Sequence, residues 1–407
     1  AVKFRDCRLM KIDVMTKDKD IKTTVPTLRF REFQNDARWI PNKIDHVCKI
    51  GNGRDYKHLS AGNIPVYGSG GYMTSVDKFL YDGESVCIGR KGTIDKPIFL
   101  TGKFWTVDTL FYTYAFHKCL PKFLYLIFQQ INWYKYNEAG GVPSLLKTTI
   151  GNINIFIPNN ENEQKKIVDC FSSLDDLINA VADKIETLKE YKKGLMQQLF
   201  PAKGKTIPAI RFPEFQNAPD WQETALENIG EIVTGNTPST KEPNNYGGDR
   251  LFVSPADISD KRYVSQTKTT LSEKGFRLSR HIKENSILFV CIGSTIGKVA
   301  QNTRECATNQ QINSIMPYKG HVADFVYSIL EHYAPQIASI AGNQAVPIIN
   351  KTLFSSVSLL MPKENEQQKI ADCLSSVDEL ISTETAKLDQ LKAHKKGLMQ
   401  QLFPKLQ

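Results

Sequence analysis

The chain repeats itself, and a long internal repeat leaves few architectures open. Pro26-Thr-Leu-Arg-Phe-Arg-Glu-Phe-Gln-Asn35, followed by Trp39, returns 182 positions later as Pro208-Ala-Ile-Arg-Phe-Pro-Glu-Phe-Gln-Asn217, followed by Trp221. Asn162-Glu-Gln-Lys-Lys-Ile167 returns 203 positions later as Asn365-Glu-Gln-Gln-Lys-Ile370. The ten residues Lys192 to Pro201 are identical to Lys395 to Pro404, so the chain is a duplication. The unequal offsets give the second copy about 21 more residues between its ends. The middles, 54–140 and 236–340, share only scattered anchors, chiefly Val86-Cys-Ile-Gly89 with Val290-Cys-Ile-Gly293 and Val142-Pro143 with Val346-Pro347. Constant ends around divergent middles are expected of one fold used twice for one kind of task on two targets.

Each copy closes with a long apolar stripe. Ile167, Leu174, Leu177, Val181, Ile185, Leu188 and Leu195 recur at helical spacing, and Ile370, Val377, Leu380, Leu388, Leu391 and Leu398 repeat the register, with Glu384 and His394 as polar interruptions. A helix over 162–200 is nearly 60 Å long at 1.5 Å per residue, longer than a small domain is wide. A lone one-sided helix leaves its stripe in water, so the two stripes are expected to cover each other as an antiparallel, coiled-coil-like pair with one head at each end. Gly194 and Gly397 cost helix stability of about 1 kcal/mol each relative to Ala. Their recurrence implies a close backbone approach, from the other helix or from a partner protein. The expected fold class is α+β, with two mixed α/β heads and pseudo-two-fold symmetry. Boundaries fall at 1–25 (a lead, with Met15 as a natural start or the whole as a short disordered segment), 26–160 (first head), 161–201 (helix), 202–207 (linker), 208–362 (second head) and 363–404 (helix). Expected strands include 64–67, 85–88, 109–114 and 152–157 in the first head and 251–253, 286–292, 312–316 and 355–361 in the second, with head helices at 121–133 and 322–333.

With 41% hydrophobic and 23% charged residues the chain can build real cores, and no apolar run approaches the ~18 residues of a membrane helix. No export leader is visible, and the eight cysteines form neither a zinc pattern nor a disulfide framework, so a reduced cytoplasmic protein is expected, with no metal. The 52 basic against 43 acidic residues favour a polyanionic partner. No phosphate loop, dinucleotide fingerprint, HExxH, nucleophile elbow or amino-methyltransferase motif is present, Gly68-Ser-Gly-Gly71 reads as a turn, and the seven histidines are scattered. Catalytic residues are expected to be none.

What remains are basic, aromatic and amide side chains near Gly-rich turns. They are Arg54, Lys57, Tyr72, Arg90 and Lys91 in the first head, and Arg250, Lys261, Arg262, Arg277, Arg280, Lys298, Asn309 and Gln310 in the second. Lys and Arg neutralise phosphates, Arg grips guanine in two-pronged fashion, and Asn or Gln does so for adenine, so together these are candidate DNA contacts.

The order of head, long helix, second head and second helix, with the Pro-x-[Leu/Ile]-Arg-Phe-x-Glu-Phe openings and the doubled Lys-Lys-Gly-Leu-Met-Gln-Gln-Leu-Phe-Pro tail, resembles the specificity subunits of Type I restriction-modification enzymes over residues 26–404. The resemblance implies that each head is a target recognition domain for half of an interrupted double-stranded DNA sequence and that the helices fix the gap. It also implies no cofactor in this chain. Two modification subunits carrying S-adenosylmethionine would dock on it, joined for cleavage by motor-nuclease restriction subunits using ATP and Mg, and no membrane is involved. The alternative is a general DNA-binding or scaffold protein whose two heads hold proteins.

Overall fold

The computed structural model describes residues 24–342 and 346–405, so positions 1–23 of the expected lead lie outside the described residues. The chain forms two compact units, one holding residues up to 180 and those from 388 on, the other residues 181–387. Each contains one head, part of the long helix that follows it and part of the other long helix.

Both heads are mixed α/β. In the first, strands Lys49–Asn52, Leu110–Tyr114, Ser85–Gly89 and Ile98–Leu100 form one sheet in that order. Gly71–Val76, Ala61–Gly68, Lys103–Thr106 and Tyr81–Asp82 form another. Ser85–Gly89 is buried along its whole length, which is why its sequence is a continuous apolar run and not an alternation. Ile40–Lys43 pairs antiparallel with Asn154–Ile157, closing the two ends of the head sequence on each other. The head helix is Pro121–Phe128, shorter than the periodicity suggests. The chain turns back after it, so that the Trp133 indole donates to the Phe128 carbonyl at 3.0 Å.

The second head has a five-stranded sheet, Gly230–Thr234, Ile312–Pro317, Ile287–Val290, Val299–Asn302 and Tyr263–Val264, and a four-stranded one, Thr270–Leu271, Tyr246–Val253, Cys306–Thr308 and His281–Ile282. Its helix, Ala323–Ser339, runs on past the expected end. The additional edge strand Tyr263–Val264 pairs parallel with Val299–Asn302. It belongs to the segment Ser254 to Thr269, which stands where the first head has only the Ser69-Gly70 turn. In both heads the preceding strand pairs parallel with the same partner, Tyr67 with Thr106 and Val253 with Thr308.

Matched hydrogen bonds align the two heads and overturn one sequence anchor. Gly53 N–H donates to Leu110 O at 3.2 Å as Gly235 does to Ile312 at 3.1 Å, and Leu145 donates to Arg90 O as Ile349 does to Cys291 O, both at 2.9 Å. Gly89 faces Leu110 and Val290 faces Ile312, so Gly89 and Val290 are counterparts and the two Val-Cys-Ile-Gly tetrapeptides are out of step by three residues. Fully buried strands draw on a narrow set of small and apolar residues, and that shared composition produced the likeness.

The repeated ends are clamps. Arg29, buried, donates from Nε and Nη2 to Glu163 at 2.8 and 2.7 Å and to the carbonyls of Asp36 and Ala37, while the Trp39 indole reaches Glu163 at 3.1 Å. Arg211 does the same with Glu366, both contacts at 2.7 Å, with Ala218 and Pro219, and with Trp221 at 3.3 Å from Glu366. A forked ion pair with its remaining donors satisfied is the arrangement in which a buried charge is tolerated. The next residues, Gln164 and Gln367, accept from the Leu120 and Val322 N–H groups at 2.9 Å and donate to Pro158 and Pro362. The identical tails insert into the heads. Met399, Leu402 and Phe403 join the first head's core, with Phe403 against Trp39 and Phe123, and Met196, Leu199 and Phe200 join the second's, with Phe200 against Trp221 and Phe325. Each head is thus gripped by the start of its own long helix and the end of the other.

The long helices are Glu161–Leu199 and Glu364–Leu402. In the first unit Phe171 meets Phe403 and Asp175 pairs with Lys395 at 2.5 Å. In the second, Lys184 pairs with Glu384 at 2.5 Å and Lys192 with Asp378 at 2.7 Å. Rising numbers on one helix meet falling numbers on the other, so the segments run antiparallel. Of the expected stripe, Leu174, Val181, Ile185 and Val377 are buried, and Leu177, Leu188, Leu388 and Leu391 are half-buried. Ile167, Leu195, Ile370 and Leu398 pack into the heads instead. Leu380 does not belong to the stripe, being 53% exposed. At 100° per residue Ile381 returns closer to the direction of Val377 than Leu380 does and takes the inner place. Glu384, which interrupts the pattern, is held by Lys184, whose hydrogen bond lowers its carboxyl pKa.

Candidate functional site

The segment 106–110 gathers the loops at one end of the first head. Arg54 N–H donates to Thr106 O, and the Arg54 carbonyl receives the Trp105 indole, both at 2.8 Å. Arg90 N–H donates to Thr109 O at 2.8 Å, and Val107 N–H to Tyr67 O at 2.9 Å. Lys91 bridges to Ser144 and Gly92 N–H donates to Pro143 O, which adds the 140–146 loop. Arg54, Tyr72, Arg90 and Lys91 therefore share one surface, all exposed, with Lys57 three residues beyond Arg54. Tyr72, 63% exposed, and Met73, 51% exposed, stand on the hairpin strand after the Ser69-Gly70 turn.

Below this surface lies an aromatic cluster that sequence reasoning missed. Tyr81, Tyr112 and Tyr114 hold their rings 5.7 to 6.2 Å apart, beside Phe104. Burial raises the pKa of Tyr81 and Tyr112. Tyr112 covers Gly51, its strand partner, where a Cβ would come within 2.3 Å of the ring. The alternation of aromatics in Leu110–Tyr114 was the only trace of it in the sequence.

The corresponding end of the second head is assembled by corresponding loops. The Asn236 amide donates to Leu278 O, Arg280 N–H donates to Asn236 Oδ1, and the Arg280 guanidinium reaches Thr234 O at 2.7 Å. Gln310 accepts from Thr237 at 2.6 Å, and Asn309 and Gln311 bond each other. Arg280, Asn309 and Gln310 are thus brought together, with exposed Arg277 and Leu278 alongside.

Three of the other candidates, Arg250, Lys298 and Arg262, are engaged elsewhere. Arg250 pairs with Glu273 at 2.6 Å and Glu305 at 3.6 Å and lies over Phe276. Lys298 donates to Ile258 O at 2.9 Å, and Lys261 is exposed on the Ser254–Thr269 segment. Arg262 is no surface contact. It is buried, with Asp324, Asp378, Ser375 and Gln301 around its guanidinium, because carboxylates remote in sequence meet it there.

Burial pushes the thiols of Cys48, Cys87, Cys291 and Cys306 up to about 12, which withholds the thiolate a nucleophile needs. Among the described residues no group of His, Cys, Asp and Glu is placed to hold a metal, and no helix is long and apolar enough to cross a membrane. At Gly194 and Gly397 a Cβ would meet nothing within 4 Å, so the described residues supply no close backbone approach at either glycine.

Comparison with known proteins gives a consistent picture. The family described as Type I restriction modification DNA specificity domain matches residues 37–190 and again 219–393. The chain is 25% identical over 317 residues to the Type I restriction enzyme HindI specificity subunit of Haemophilus influenzae, covering 60% of this chain and 68% of that one. It is 30% identical over 167 residues to the MjaIX specificity subunit of Methanocaldococcus jannaschii, covering 40% and 39%. Its fold is similar to that of a Type I restriction-modification S subunit from M. genitalium, with a TM-score of 0.66 at 14% identity over 94% of this chain and all of that one.

Proposed function

The chain belongs to the Type I restriction-modification DNA specificity family, and we propose on that premise that each head reads one half of a bipartite, interrupted double-stranded DNA target. The observation that carries this is the pair of loop clusters: Gly53, Val107 and Gly92 donate to Leu110, Tyr67 and Pro143 as Gly235, Asn309 and Gly293 donate to Ile312, Val253 and Pro347, while the exposed or part-exposed side chains gathered there differ, Arg54, Tyr72, Arg90 and Lys91 in one head and Arg277, Arg280, Asn309 and Gln310 in the other. Basic side chains hold phosphates and set register, while forked or amide groups read base edges. Side chains that differ on a constant frame imply two different half-sites read in one manner. A scaffold with two protein-binding heads gives no reason for arginines to gather at both clusters.

The chain supplies recognition, and bond-making falls to its partners. Two modification subunits using S-adenosylmethionine bind the repeated helix segments, where Lys193, Gly194 and Gln197 recur as Lys396, Gly397 and Gln400 and Lys193, Gln197, Lys396 and Gln400 are exposed. Two like surfaces suit two copies of one partner. Restriction subunits using ATP and Mg complete the assembly for cleavage, in the cytoplasm, and the long helices set the gap between half-sites.

The test is an exchange of residues 54–140 for those of a relative with another target, with methylated adenines mapped in cells that also carry the modification subunit. One half-site should change while the other half-site and the gap stay constant. A change in both halves overturns the reading.

A further inference from the structure

The segment Ser254 to Thr269, which the first head lacks, brings one arginine into the interior. Arg262 donates from Nε and Nη2 to Gln301 at 2.9 and 2.8 Å. Nη2 also pairs with Asp324 at 2.6 Å, and Nη1 reaches Ser375 at 2.9 Å and Asp378 at 3.3 Å. The rings of Tyr263 and Tyr327 lie 4.9 and 4.7 Å from the guanidinium carbon. Asp378 in turn holds Lys192 at 2.7 Å, and Lys192 reaches Glu331 at 2.5 Å. Five parts of the unit meet in this knot: the extra segment, the strand Val299–Asn302, the head helix Ala323–Ser339, and both long helices.

Buried ion pairs are a weak source of stability, because desolvation cancels much of the attraction, but their directionality makes them selective for one geometry. Here the planar fork is tied to the head through Gln301 and Asp324 and to the helix through Ser375 and Asp378, so a small rotation of head on helix lengthens several short bonds at once. An apolar contact slides at little cost by comparison.

We infer that Arg262 is a positioning residue that locks the second head onto its helix pair, and that this lock is what makes the assembled complex strict about the number of base pairs between half-sites. The inference rests on the bipartite reading above and adds the part that enforces the spacing.

The test uses the full chain co-purified with its modification subunit, on duplexes carrying the mapped target with the native gap and with one base pair more or fewer. Arg262→Met should methylate the native gap at close to the wild-type rate and the off-by-one gaps at least tenfold faster than wild type, with the half-site sequences unchanged. Arg262→Lys, which keeps the charge without the fork, should fall between. Should Arg262→Met fail to fold, Asp378→Asn removes the helix side of the knot and should relax the gap in the same way. Folded variants that discriminate gaps as sharply as wild type overturn the inference while leaving the bipartite reading intact. A wild-type complex with no interrupted target overturns both.

Discussion

In the first head Phe99 lies against Tyr125 with ring centroids 5.5 Å apart; the same two places in the second head hold Gln301 and Tyr327, with Arg262 bonded to one and stacked on the other. The correspondence follows from strand register, Val86 facing Phe99 as Ile287 faces Gln301, and from the matched bonds of Leu120 and Val322 to Gln164 and Gln367. Below the loops another exchange has occurred: Gly51 pairs with Tyr112 in one head, Val233 with Ser314 in the other, so side-chain volume has moved across the strand pair. The Arg–Glu–Trp clamps, by contrast, are the same. Duplicated domains hold constant what grips the shared helices and vary what faces the head's own contents, since a clamp needs one geometry whereas a core needs only a total volume.

The comparison breaks most easily at the clamps. Glu163→Ala leaves the buried Arg29 without its carboxylate and Glu366→Ala does the same to Arg211, whose side chain is 10% exposed, at a cost on the order of 3 kcal/mol in each case. The two losses should agree within error in denaturant titrations of the full chain, and a marked inequality would show that the clamps are not equivalent. Phe99→Ala, at a half-buried aromatic contact, should cost roughly 1–2 kcal/mol and affect only the first unit, read by hydrogen exchange. Gly194→Ala and Gly397→Ala should each raise stability by up to about 1 kcal/mol, since nothing described crowds either position. If the same variants weaken binding of the modification subunit, the close approach at these glycines comes from the partner.

The smallest effect concerns pH. Burial lowers the pKa of His332, which packs beside Phe200 in the second unit. The unfolded chain binds that proton more readily, so the stabilisation is complete above the ordinary histidine pKa of about 6.5 and is lost as pH falls through the lower folded value. His332→Phe should flatten the dependence of second-unit stability on pH in this window, as followed by hydrogen exchange between neutral and mildly acid buffer. A slope unchanged by the substitution would rule out His332 as its source.

Much of the candidate site was open to sequence reasoning as a set of residue types near turns, and Arg54, Arg90, Lys91, Arg280, Asn309 and Gln310 do reach the loop ends. Arg262 carries the same composition and sits beside the same kind of turn, yet it is buried, because its partners Asp324 and Asp378 lie far along the chain. The tyrosine cluster was hidden for a related reason: Tyr81 comes from a different strand than Tyr112 and Tyr114.

Duplication, the paired 39-residue helices and the constant clamping motifs could be read directly from residue order, because repeats and helical periodicity are properties of the chain taken locally. Folding settled which arginines lie at the surface and which is locked inside, why Leu380 leaves the stripe that Ile381 joins, and that two matching tetrapeptides are not counterparts. Each of these depends on neighbours from distant segments, and burial and charge pairing are decided by who those neighbours are.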